Sequence, residues 1–265
     1  MSFLNLEKKT FLVTGVANKK SVAFFTAKLL LQEGAKVIFA VQSELIKNKV
    51  NELFPNSDIY LMDAKSESSI MNLSNLLKVN NVFLDGILHS IAFANYSEGP
   101  RPFHETNLND YLEATTISSF SLVMISRYLK EQLKSNASVV TVSISNTKAT
   151  NYGYMGPIKA SLDSTVAFLA KSFSNDSEVR FNAVSSGPLK TSASAGIPGY
   201  VENYLYAEQL TLRHLALKTE EVANTIIFLL SSASSGINGS CILVDAGMSV
   251  NYFDENVVKA FNSLK

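Results

Sequence analysis

Apolar residues along this chain fall into two alternating patterns. Short, nearly continuous apolar runs predict seven strands: "TFLVTGVA" (10–17), "AKVIFAVQ" (35–42), "DIYLMDA" (58–64), "LDGILHSIA" (84–92), "ASVVTVSIS" (137–145), "VRFNAVSSG" (179–187) and "GSCILVDAG" (239–247). Between them, apolar residues recur at helical spacing over 21–34, 43–54, about 67–78, about 107–134, 154–173 and 219–232. Strands without polar alternation need cover on both faces, and helices between parallel strands supply it. Right-handed crossovers then predict an α/β fold: a single-domain, Rossmann-like, doubly wound parallel sheet of seven strands with helices on both faces. No linker or repeat divides residues 1–265, so one domain is expected. One segment, about 189–212, breaks the rhythm. Its small residues, Pro198, Gly199 and a cluster of tyrosines predict a mobile flap with an aromatic surface.

Composition narrows the function. The chain has 265 residues, 46% hydrophobic and 17% charged, with mean hydropathy +0.12, enough for a large buried core. A formal net charge of zero gives no footprint for nucleic acid and no basic patch for a membrane surface. The only cysteine, Cys241, lies in an apolar run and is expected to be a buried structural residue. "MSFLNLEKKT" lacks a signal-peptide core, and no apolar run reaches spanning length, so a soluble cytoplasmic protein is expected. No metal site is expected.

Ligands of a doubly wound sheet bind beyond the carboxyl ends of its strands, and four of those ends carry suggestive residues. Gly15 permits a tight turn into the first helix, whose N-terminus offers amides and a positive dipole to a pyrophosphate. The turn departs from the GxGxxG fingerprint, with Lys19 and Ser21 at later glycine positions. Gln42 follows strand two, where an amide can bond ribose hydroxyls and neighbouring Glu44 would repel a 2′-phosphate. That pairing favours NAD over NADP. Asp63 ends strand three, positioned to accept from an adenine amino group, and "HSIAFA" (89–94) ends strand four. Together the four ends predict a dinucleotide site.

"NYGYMGPIKA" (151–160) holds two tyrosines ahead of Lys159. At roughly 100° per residue, a spacing of seven returns to within about 20° of the same helix face. Tyr152 has that spacing; Tyr154, five residues before Lys159, is about 140° away. Pro157 suits the first turn, leaving Tyr152 at the cap. A phenol ionises near pH ~10, and a lysine cation about 4 Å away would favour phenolate by up to ~4 kcal/mol at an effective dielectric of ~20. The ammonium could also hold nicotinamide-ribose hydroxyls. A buried tyrosine and a surface lysine at chance spacing would read the same way.

These stretches, with "VQSE", "ISSFS", "VRFNAVSSGPLKT" and "GINGSCILVDAGMS", follow in order the motifs of NADH-dependent enoyl-acyl-carrier-protein reductases. The chain resembles that family, within the short-chain dehydrogenase/reductase superfamily, over nearly its whole length. The resemblance implies hydride transfer from NADH to the β-carbon of a trans-2-enoyl thioester in fatty-acid synthesis. Tyr152 would bond the developing enolate and Lys159 the cofactor ribose. NAD would contact Gly15, Ser21, Val22, Gln42, Asp63, Ala64, Ile91, Lys159, Leu189 and Thr191, and the substrate would meet Ala94, Tyr152 and Tyr200. Carbonyl-reducing relatives use Tyr-x3-Lys, which would put the acid at Met155, a residue with no proton to donate. A homotetramer is implied through the helices at 107–134 and 154–173.

Three departures qualify the match. Ile144 stands where the family has a second active-site tyrosine, and Ala92 stands for a glycine beside the nicotinamide. Pro198, Val201 and Glu202 occupy flap positions where the family presents basic residues to an acidic acyl-carrier protein. Carrier recognition is therefore in doubt, and the alternatives are a divergent dinucleotide-dependent oxidoreductase or a non-catalytic NAD-binding scaffold. No catalytic role is assigned to His89, His104 or His214.

Overall fold

The computed structural model of the chain describes residues 3–96, 99, 101–191, 194 and 199–263. Every expected strand forms: β1 (Thr10–Thr14), β2 (Lys36–Val41), β3 (Asp58–Leu61), β4 (Leu84–His89), β5 (Leu133–Ile144), β6 (Arg180–Ser186) and β7 (Cys241–Val244). They make one parallel sheet in the order β3-β2-β1-β4-β5-β6-β7. Alternate residues divide between two cores. Phe11, Val13, Phe39, Val140 and Val184 face helices α1 (Val22–Gln32) and Thr219–Leu230. Leu12, Ile38, Val139 and Phe181 face α3 (Glu67–Val79) and the helices that follow β4 and β5. Helix α2 (Glu44–Leu53), capped by Ser43, links β2 to the edge strand β3.

The strand order reverses beside β1, so a crevice opens between the carboxyl ends of β1 and β4. The contact there is close. A Cβ on Gly15, whose φ is +82°, would lie 1.8 Å from the Ser90 carbonyl oxygen. Only glycine lets the β1–α1 turn approach the β4 end this way. The Thr14 hydroxyl donates to Leu88 O at 2.9 Å and accepts from Ser90 N at 3.3 Å, tying the two ends together.

Two expectations need correction, for the 107–134 stretch and for Cys241. The stretch at 107–134 is not one helix: α4 (Leu108–Thr115) passes through a π turn, Thr116–Phe120, into α5 (Ser121–Tyr128), and β5 begins at Leu133. Within the segment at about 189–212, Tyr200–Leu210 forms a regular helix, α7, following α6 (Met155–Phe173); Pro198 lies outside the described residues. After α8 (Thr219–Leu230), an unanticipated helix α9 (Glu255–Asn262) starts at an Asp254 cap. Cys241 is exposed, not buried. β7 is the edge strand, and the face carrying Cys241 and Leu243 lacks the cover that Ile242 and Val244 receive from the α8 side.

Candidate active site

The β1–α1 turn uses its side chains locally. Ser21 caps α1 by accepting from Phe24 N at 3.2 Å, and its hydroxyl donates to Asn18 O at 2.9 Å. Val22 is buried, so what it offers a ligand is backbone at the positive end of the helix. Gln42 is exposed just past β2. Asp63 lies two residues past β3; its Oδ1 accepts from Lys65 N at 3.1 Å, leaving Oδ2 for another donor, and Ala64 beside it is buried. These residues, with Ile91 past β4, border the same carboxyl edge of the sheet.

Past β4, the backbone of Phe93 is held from the π turn: Ser118 Oγ accepts from Phe93 N at 2.8 Å and donates to Phe93 O at 2.9 Å. This clamp positions Ile91, Ala92 and Ala94, and the wider π turn aims Ser118 at them. "ISSFS" carried the signal for Ser118, but spacing assigned it no task.

His89, at the end of β4, is fully buried. The Ser121 hydroxyl is spent on Ile117 O at 2.6 Å, so His89 Nε2 donates to Ser121 Oγ at 2.8 Å, and Nδ1 accepts from Thr141 Oγ1 at 2.8 Å. Burial first, then the charge of Lys159, pushes the imidazole down to about 3. His89 is thus a neutral pin joining β4, β5 and α5.

The two tyrosines separate. Tyr152 ends a 3₁₀ turn (Thr150–Tyr152) ahead of α6, while Tyr154 sits at the α6 cap and is buried. Tyr154 donates to Asn95 O at 2.8 Å and packs on Tyr96 and Tyr111. Lys159 is 4% exposed and donates to Val142 O at 2.9 Å. One carbonyl occupies one of its three N–H donors. Burial lowers its pKa to about 8, and Asp163, one turn further along α6, opposes that shift. Burial foremost raises the Asp163 carboxyl, opposed by Ser143 and by the charge of Lys159.

The expectation that lysine would acidify Tyr152 fails. Burial foremost, then Tyr200 and Tyr96, raises that phenol far above its ordinary value. Desolvation outweighs any benefit from the ammonium, and the group remains a hydrogen-bond donor.

Tyr200 turns inward to the chain itself: its hydroxyl accepts from Leu189 N at 2.8 Å and donates to Leu189 O at 3.0 Å. Ser194 Oγ accepts from Thr191 N at 2.9 Å and donates to Leu189 O at 2.7 Å, so the residues after β6 form a braced turn against α7. The phenol expected at the substrate thus spends its hydroxyl on Leu189. Beside Tyr152 an open cavity of about 540 Å³ is lined by Asn95, Tyr96, Phe103, Asp110, Asn151 and Glu202, among others. Tyr96 was not foreseen.

Comparison with known proteins matches this architecture. A family model described as enoyl-(acyl carrier protein) reductase covers residues 15–249. The NADH enoyl-acyl-carrier-protein reductase FabI of Enterococcus faecalis is 35% identical over 246 residues, spanning 92% of this chain and 98% of that protein. The NADPH enzyme of the same name from Staphylococcus aureus (strain MRSA252) is 34% identical over 251 residues, with the same coverage of 92% and 98%. Among solved structures, the NADH enoyl-acyl-carrier-protein reductase of Aquifex aeolicus superposes with a TM-score of 0.88 at 31% identity, over 94% of this chain and 98% of that one.

Proposed function

The chain belongs to the enoyl-acyl-carrier-protein reductase family, and from that premise we propose that it uses NADH, Tyr152 and Lys159 to saturate trans-2-enoyl thioesters. It is an oxidoreductase of fatty-acid synthesis that works with a nicotinamide dinucleotide. The finer assignments below are our reading of its residues.

The donor set suits a dinucleotide. The Gly15 turn brings the α1 N-terminus to the switch point for a pyrophosphate. Asp63 keeps a free carboxylate oxygen for an amino group, and Lys159 keeps ammonium donors for ribose hydroxyls. Gln42 and the exposed Glu44 supply no cation for a 2′-phosphate, which supports NADH over NADPH. Leu189 and Thr191, braced by Tyr200 and Ser194, wall the site from the β6 side.

When bound, the reduced nicotinamide supplies the hydride that reaches the substrate β-carbon. Negative charge then develops on the thioester oxygen, and the enolate is discharged when a proton from solvent reaches the α-carbon. Tyr152, kept protonated by burial, donates a hydrogen bond there, a stabilisation realised mainly in the transition state. Lys159, charged below pH about 8, adds positive potential and holds the ribose. Ala94, clamped through Phe93 by Ser118, lines the approach.

The observation that carries the reading is the division of labour between the two tyrosines ahead of α6: Tyr154 is bonded away to Asn95, while Tyr152 opens on the cavity. NADH oxidation with crotonyl thioesters on acyl-carrier protein and on coenzyme A tests it. Turnover of at least one thioester is expected, with loss in Tyr152→Phe; no turnover of either would overturn the activity. Titration should give tighter binding of NADH than NADPH, and equal affinities at physiological salt would overturn the cofactor assignment.

A further inference from the structure

We propose that Tyr96 is a second hydrogen-bond donor to the substrate thioester, acting beside Tyr152. The inference rests on the reading of Tyr152 given above and adds a residue to it.

The first observation is an unpaired group. The Tyr96 hydroxyl is buried and, among the described residues, has no hydrogen-bond partner. A buried phenol normally finds one, because losing water without a replacement is costly. The chain does not arrange this by leaving the ring loose. Tyr96 packs on Tyr154 with ring centroids 5.3 Å apart and planes tilted by 30°. Tyr154 is in turn bonded to Asn95 O, and Asn95 Nδ2 donates to Asp110 Oδ1 at 3.0 Å. The ring is held; only its hydroxyl is unspent.

The second observation is direction. A Cβ built on Gly153 would lie 3.6 Å from the Tyr96 hydroxyl, so that oxygen sits over the residue following Tyr152. Tyr96 and Tyr152 line the same cavity. Their phenols lie close enough that Tyr96 helps to keep Tyr152 protonated. Tyr96 itself is pushed up to about 12, burial first and Tyr154 second, so it stays a donor across the working pH range.

The third is what the neighbouring strand end lacks. Ile144, the last residue of β5, has no polar side-chain atom to offer a substrate oxygen. A donor reaching in from the β4 side therefore faces no competitor from β5. Two donors on one oxygen would share the developing charge, and both would strengthen as it grows.

Tyr96→Phe keeps the ring and removes only the hydroxyl. With crotonyl thioester as substrate, kcat should fall on the order of 10²-fold, as for loss of one oxyanion donor, while KM and NADH affinity stay near wild type. The thermal midpoint should hold or rise, because the deleted group had no partner to lose. Ile144→Tyr added to Tyr96→Phe should recover part of the lost kcat by restoring a phenol from β5. Wild-type kcat in Tyr96→Phe, a change in KM alone, a fallen thermal midpoint, or no recovery by Ile144→Tyr would each overturn the proposal. Wild-type kcat in Tyr152→Phe as well would instead bring down the reading on which it rests.

Discussion

The Tyr154 hydroxyl donates to the Asn95 carbonyl at 2.8 Å, across from the strand-four loop that carries Ala94 and Tyr96. That bond gives a residue two positions from Tyr152 a different task. Tyr154 ties α6 to the loop, and its ring belongs to a small core with Ala114, Met155 and Ile158. Tyr152 only borders that core and opens on the cavity.

Substitution should therefore separate the two. Tyr152→Phe is expected to cut turnover by roughly 10²–10⁴-fold with NADH binding nearly intact. Tyr154→Phe should cost about 1 kcal/mol of stability through its lost hydrogen bond and leave turnover within a few-fold of wild type. Steady-state kinetics beside thermal melts decide it: if Tyr154→Phe abolishes reduction while Tyr152→Phe does not, the pairing with Lys159 is reversed.

Lys159 gives a pH dependence whose sign is fixed by burial. Its folded pKa, about 8, lies below the ordinary 10.5, so the native state sheds this proton first. Below pH 8 the buried charge is a full cost to stability, and the cost fades as pH rises from about 8 toward 10.5. Lys159→Met should thus be the more stable protein at neutral pH, with the advantage shrinking in that alkaline window. NADH affinity of the native protein should decline through the same range, whereas the Met variant binds weakly throughout. Denaturant melts and fluorescence titration at several pH values would expose a wrong sign as an advantage that grows with pH.

How far the chain could be read without coordinates depended on which interactions were local. The strands were legible where a parallel strand buried on both faces must be apolar at nearly every position, as in the buried run of β2. Gly15 was legible because its turn demands it. The break at Thr116–Phe120 was not, since a single π turn displaces the apolar spacing by only about one residue within a longer helical pattern. Cys241 misled because an apolar run looks buried whether or not a layer covers its outer face. The raised Tyr152 phenol and the unpaired Tyr96 hydroxyl depend on residues distant in sequence, so no spacing encodes them. Helix α9 did leave a signal: Asp254 caps it by accepting from Asn256 N and Val257 N at 2.9 and 3.0 Å.

Assembly is expected to follow from the helices flanking the π turn and from α6. Leu108 and Phe120 are more than half exposed in the single chain, and Phe168 on α6 is 76% exposed. Large apolar side chains left out together call for a partner surface, and two-fold pairing of like helices provides one. The expected state is a homotetramer with 222 symmetry. Light scattering at micromolar concentration should report it, and Phe168→Asp should shift it toward smaller species. A monomeric wild-type protein would count against the arrangement.

Carrier recognition is expected to depend little on salt. Helix α7 presents Val201, Leu205 and Tyr206 to solvent, each more than half exposed, together with Glu202. Its sequence, YVENYLYAEQL, contains no lysine or arginine. An acidic carrier approaching this helix meets apolar surface and like charge, not the attraction that steers charged partners together. Raising salt from about 0.01 to 1 M shortens the Debye length from ~30 to ~3 Å and would remove any such steering. The ratio of kcat/KM on carrier and coenzyme A thioesters should stay nearly constant across that range. Glu202→Lys should raise carrier preference at low salt and make it salt-sensitive, since it reverses the one charge in the first turn of the helix. A wild-type preference for the carrier that collapses with salt would mean that basic residues away from α7 hold the partner.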